Sequence, residues 1–129
     1  MDQELENNRL HKVYLAKLKR PDIRPRCVYK PGITSFLDAM QRLNFKGKNE
    51  QYPISHYFSD MKIMHSTRLK YTKQQAKDIE DEIHAAIKKP DDKWFHNWYE
   101  PDQISGITEM RIWDYEEFKV AYSIIEKYK

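Results

Sequence analysis

The sequence predicts an α+β domain: a small, mostly antiparallel β-sheet of about three to four strands flanked by helices. Three observations predict it. Short runs suited to a pleated surface alternate with helical stripes in the order β, β, α, β, α, β, α. Two of the helical stripes are preceded by capping-box patterns. The chain has 129 residues, 40% hydrophobic and 33% charged, which suits one globular unit with its own core. Residues 1–11 form a polar N-terminal segment and residues 12–129 a single domain, with no internal repeat or linker.

Lys12 to Leu18 reads as the first strand. Lys19 to Arg26 holds Arg20, Arg24 and Arg26 between Pro21 and Pro25, a basic loop that excludes a helix interior. Cys27 to Lys30 is a second short strand that forms a hairpin with the first, and Pro31-Gly32 is a turn signal. Ser35 to Asp38 has capping-box spacing, and Phe36, Met40 and Leu43 share one stripe, so a helix runs to Leu43. Asn44 to Pro53 is a polar loop with Lys46-Gly47-Lys48. Met61 to Ser66 is a third strand.

Thr72 with Gln75 is a second capping box, followed by Ala76, Ile79, Ile83 and Ala86 at helical spacing, ending at Lys88 or Lys89 before Pro90. Asp91 to Ile104 is an aromatic loop region whose Trp94, Trp98 and Tyr99 cap the core. Glu109 to Trp113 forms a strand, and Asp114 caps a last helix carrying Phe118, Ala121, Tyr122 and Ile125.

Bulk properties narrow the function. The net charge of +3 permits a polyanionic partner without demanding one. A single cysteine, Cys27, excludes an internal disulfide and a Cys-x-x-Cys metal site, and reads as a small core residue. A polar, acidic start and no long apolar run point to the cytoplasm.

The chemistry-bearing residues fall in an ordered set. Tyr14 is mid-strand in Val13-Tyr14-Leu15, and Tyr29 opens Tyr29-Lys30-Pro31-Gly32-Ile33-Thr34. Arg42 lies on the first helix, and Glu80 and His84 lie one turn apart on the second. With Lys93-Trp94-Phe95 after that helix, the set resembles the GIY-YIG nuclease superfamily in its small, phage-type form. The first motif lacks its glycine and isoleucine, and Pro31 replaces an aliphatic residue of the second.

The resemblance implies a divalent-metal-dependent DNA endonuclease of low sequence specificity, working with Mg²⁺ or Mn²⁺ on double-stranded DNA. Tyr14 would be the base, Tyr29 its partner, Arg42 the charge stabiliser and Glu80 the metal ligand, with His84 in support. The residue types suit hydrolysis of a phosphodiester. A divalent ion neutralises charge and needs only one or two protein carboxylates. A guanidinium matches phosphate oxygens. Arg20, Arg24, Arg26, Lys30, Lys46 and Lys48 would line a phosphate track. The short chain leaves no room for a recognition domain, so a homodimer is the other route to specificity. Two other functions compete. One is a decayed GIY-YIG fold kept as a nucleic-acid-binding or anti-defence module; the other is a protein-interaction domain using the aromatic C-terminal region.

Overall fold

The computed structural model describes residues 9–21, 27–46, 52–88 and 109–129. Arg24, Arg26 and Lys48, together with Trp94, Phe95, Trp98 and Tyr99, lie outside the described residues.

The architecture is α+β. Four antiparallel strands, β1 (Lys12–Lys19), β2 (Cys27–Thr34), β3 (Asp60–Ser66) and β4 (Arg111–Trp113), stand in the order β3-β1-β2-β4. Three α-helices accompany them among the described residues: α1 (Ala39–Asn44), α2 (Lys73–Ala86) and α3 (Tyr115–Tyr128). A 3₁₀ turn, Ile54–Tyr57, precedes β3. No helix of the described residues is long and apolar enough to cross a membrane.

Alternation along β1 builds two cores, one on each face of the sheet. Val13 and Leu15 face α2 and α3, where Ala76, Ile79, Ile83, Phe118, Ala121 and Ile125 are buried. Tyr14, Ala16 and Leu18 face the other way, onto Ala39 and Leu43 of α1 and Ile54 of the 3₁₀ turn. The β1·β3 register shifts between Leu15 and Ala16, beside Tyr14.

Both long helices start where local chemistry says they should. Thr72 accepts from the Gln75 N–H while the Gln75 side chain accepts from the Thr72 N–H; Asp114 and Glu117 do the same for α3. Each box satisfies two backbone donors that a helix start leaves unpaired. Helix α2 ends at Ala86, short of the expected Lys88, with Ile87 as its cap.

Three expectations need correction. Pro31-Gly32 is not a turn, for β2 runs on through both residues to Thr34 and pairs them with Leu15 and Tyr14. The proline is tolerated because β4 pairs only Cys27, Val28 and Tyr29, so that among the described residues no ladder on that side asks Pro31 for a donor. The first helix starts at Ala39, capped by Asp38 rather than Ser35, because Thr34 Oγ1 has already accepted the Phe36 N–H and holds that segment in a turn. Finally, His11, grouped by sequence with the polar segment, is buried and bridges to Tyr71 through two backbone hydrogen bonds. Cys27 is only half-buried at the edge of the core.

Candidate functional site

The short β4 determines where polar groups collect. Arg111 pairs with Tyr29, so Glu109, two residues earlier, lies alongside the stretch of β2 that β4 leaves uncovered. Lys30 Nζ sits 3.1 Å from Glu109 Oε2 and donates to Tyr14 Oη at 3.0 Å. The ammonium is buried, and its pKa is nevertheless raised, because Tyr14 and Glu109 hold the charge against desolvation.

Gly32 makes this meeting possible. A Cβ there would lie 2.5 Å from Tyr14 Oη, 2.6 Å from Tyr14 Cζ and 2.8 Å from Lys30 Nζ. Tyr14 and Lys30 therefore converge directly over a position that tolerates only hydrogen.

Glu80 enters from α2, buried at 6% exposure. Burial first, and then the Glu109 charge, push its pKa up to about 8, while Lys30 pulls the other way. Its carboxyl donates a hydrogen bond to Glu109, whose own pKa is held low by Lys30 despite burial. The two carboxyls thus share one proton, seated on Glu80 at neutral pH. Arg111 adds a second cation within reach of both acids, its pKa lowered by burial. His84, one turn after Glu80, is driven down to about 4 by burial and by Arg111, so its imidazole is neutral. Both of its ring nitrogens are buried without a hydrogen-bond partner.

The sequence-derived residues divide as follows. Tyr14, Lys30, Glu80 and His84 gather in one cluster. Tyr29 does not: it points to the opposite face of β2 and stacks on Trp113 and Phe118, with ring centroids 5.7 and 5.2 Å away. Burial raises its phenol to about 12, which suits a core ring and opposes proton chemistry. Lys30 occupies the place expected of Tyr29 and, being buried, is no part of a surface phosphate track. Arg20 is engaged elsewhere too, donating to the Tyr57 carbonyl at 3.0 Å beside the Phe58 ring. Lys46 is exposed. Arg42 lines a separate cavity of about 450 Å³ with Ile33, Thr34 and Phe36.

Sequence reasoning missed Glu109 and Arg111. The available signal was two opposite charges spaced two apart in Glu109-Met110-Arg111-Ile112-Trp113, an otherwise apolar strand. Charges there are buried only if paired.

A divalent cation is compatible with this donor set. Two carboxylates bridged by a proton are oxygen ligands that a hard cation takes by displacing that proton. Among the described residues no group of three or more His, Cys, Asp or Glu side chains is arranged to hold a metal; an ion at this cluster would have Glu80 and Glu109 as its protein carboxylates. Comparison with known proteins adds no relative: no family model, no curated protein and no solved structure matches the chain.

Proposed function

We propose that the chain is a divalent-metal-dependent nuclease of GIY-YIG type, hydrolysing phosphodiester bonds in DNA, with Lys30 replacing Tyr29 at its centre. One observation carries the reading: Lys30 joins Tyr14 and Glu109 by hydrogen bonds, and the buried carboxyl of Glu80 is coupled to Glu109 and Lys30, beside the part of β2 that β4 does not pair. While Glu80 keeps its proton, Lys30 and Arg111 are the cluster's cations, set against Glu109 and, at its margin, Asp81. A phosphate is drawn to the two cations. Glu109, with its side chain 38% exposed, is the member that opens to solvent.

Each residue has a task. Lys30 fixes the Tyr14 hydroxyl and keeps Glu109 ionised. Glu80 stores a proton that can leave near neutral pH, the range suited to acid–base exchange. Neutral His84 offers a proton acceptor one turn away. A bound Mg²⁺ or Mn²⁺, held by Glu80 and Glu109, would supply charge neutralisation on the phosphate.

The test is a supercoiled-plasmid nicking assay with Mg²⁺, Mn²⁺ or chelator, on the parent chain and on Glu80→Gln. Cation-dependent nicking that Glu80→Gln loses is the expected result. Intact plasmid with every cation, or equal nicking by the variant, sinks the proposal. A second reading is favoured by the burial of Tyr14 at 0% and Lys30 at 2% exposure. On that reading the cluster is a folding element and the chain a non-cutting DNA-binding module. Salt-sensitive DNA affinity without nicking identifies it.

A further inference from the structure

The cavity that holds Arg42 differs from the Glu80 cluster in every lining residue. Its volume, about 450 Å³, falls among small-ligand sites. Arg9, Arg42 and Lys73 bring permanent cations to its walls, and His11 brings an imidazole. Thr34 and Ser35 contribute polar groups, and the lining includes no carboxylate among the described residues.

Arg42 supplies the second observation. Its Nη1 is buried without a hydrogen-bond partner. A buried guanidinium N–H is a strong donor that native proteins rarely leave unmatched. The acceptor that suits a planar fork among cations is a phosphate or carboxylate group. Two guanidiniums, those of Arg9 and Arg42, favour a doubly charged group over a singly charged diester.

The remaining wall is aromatic. Phe36 and Phe45 line the same cavity, their ring centroids 5.6 Å apart and tilted by 55°. Phe45 is 51% exposed and offers a face to a flat partner. A base stacks on such a ring irrespective of its sequence. Thr34 Oγ1, by accepting the Phe36 N–H, fixes the segment that carries one of the two rings.

We infer that this cavity seats a nucleotide bearing a terminal phosphate, the phosphate on Arg42 and the base against Phe36 and Phe45. The inference is independent of cleavage at Glu80, and is tested where no cleavage occurs. The nucleotide is either free or the end of a strand, and the experiment separates the two.

Binding is measured in chelator by fluorescence anisotropy of a labelled single-stranded oligonucleotide, with and without a 5′-phosphate, against the full chain. Adenosine 5′-monophosphate, adenosine and inorganic phosphate are the competitors. The phosphorylated strand should bind at least tenfold more tightly than its unphosphorylated twin. Arg42→Gln should erase that difference, and Arg42→Lys, which keeps the charge but not the fork, should restore only part of it. Phe45→Ala, at an exposed position, should weaken the phosphorylated strand severalfold. Competition by the mononucleotide at comparable concentration assigns the site to free nucleotides; competition by strands alone assigns it to strand ends. Equal affinity for the two strands, or a preference that survives Arg42→Gln in folded protein, overturns the inference.

Discussion

Replacing Glu80 by glutamine tests the shared proton without using activity. Glutamine keeps the shape of protonated Glu80 and can donate to Glu109 as the acid does, but cannot ionise. In the parent chain the Glu80 carboxyl titrates at about 8 when folded, against 4.5 as its ordinary value. Between those limits the folded state binds more protons than the unfolded one, so stability falls as pH rises through the window and levels off above it. At about 1.4 kcal/mol per pH unit the whole interval caps the loss near 5 kcal/mol. Glu109 and Lys30 share in the titration, so the expected loss is about 2–3 kcal/mol. His84 titrates oppositely: its lowered pKa removes stability as pH falls from its ordinary 6.5 towards about 4. Subtracting the two proteins cancels that contribution. The assay is urea denaturation of parent and Glu80→Gln at pH 5.5, 7 and 8.5, read as midpoints at constant slope. The variant should gain on the parent steadily with pH and be the more stable at pH 8.5. A difference that stays flat from pH 5.5 to 8.5 would refute the shared proton.

Other substitutions probe the neighbouring contacts. Gly32→Ala forces a Cβ to 2.5 Å from the Tyr14 hydroxyl; it should cost about 1–3 kcal/mol as overpacking, and less in a Tyr14→Leu background, by the same denaturation assay. Lys30→Met strands Glu109 and Glu80 without their ammonium, and should cost about 2 kcal/mol, below the 3–5 of fully enclosed pairs because Glu109 is 38% exposed. Tyr29→Phe removes only a phenol from the Trp113–Phe118 stack, so nicking and stability should both stay within a small margin of the parent; lost nicking would return Tyr29 to the site. Thr72→Ala should lower stability by about 1 kcal/mol through the lost cap, detectable as a lower melting temperature.

What could be read from the sequence depended on how local the determining physics is. The capping boxes at Thr72 and Asp114 are set by residues three positions apart, and both helices begin where those pairs place them. Strands β1 and β3 were legible within a residue because their composition suits a pleat. Pro31-Gly32 misled because a dipeptide rule is blind to the neighbouring strand. Whether proline is admissible there depends on β4 stopping at Tyr29, and β4 lies about eighty residues away.

The exchange of Tyr29 for Lys30 has the same origin and goes further. A strand has period two, so an error of one residue places every side chain on the wrong face. Tyrosine invited selection as a match for Tyr14, but the register pairs Tyr14 with Gly32, and only even-numbered β2 residues share that face. Lys30 is then the ionisable side chain beside Tyr14, and an ammonium there requires an acid to accompany it indoors. Glu109, separated from Lys30 by 79 positions, is that acid, and Glu80 is held protonated first by its burial and then by the charge on Glu109. The charge state of the one carboxylate the motif identified therefore depends, beyond its burial, on a residue the motif does not contain. That dependence has its own test: with Glu109→Gln as the starting protein, the pH-dependent gain from Glu80→Gln should shrink to the part that burial alone supplies, and an undiminished gain would remove Glu109 from the coupling.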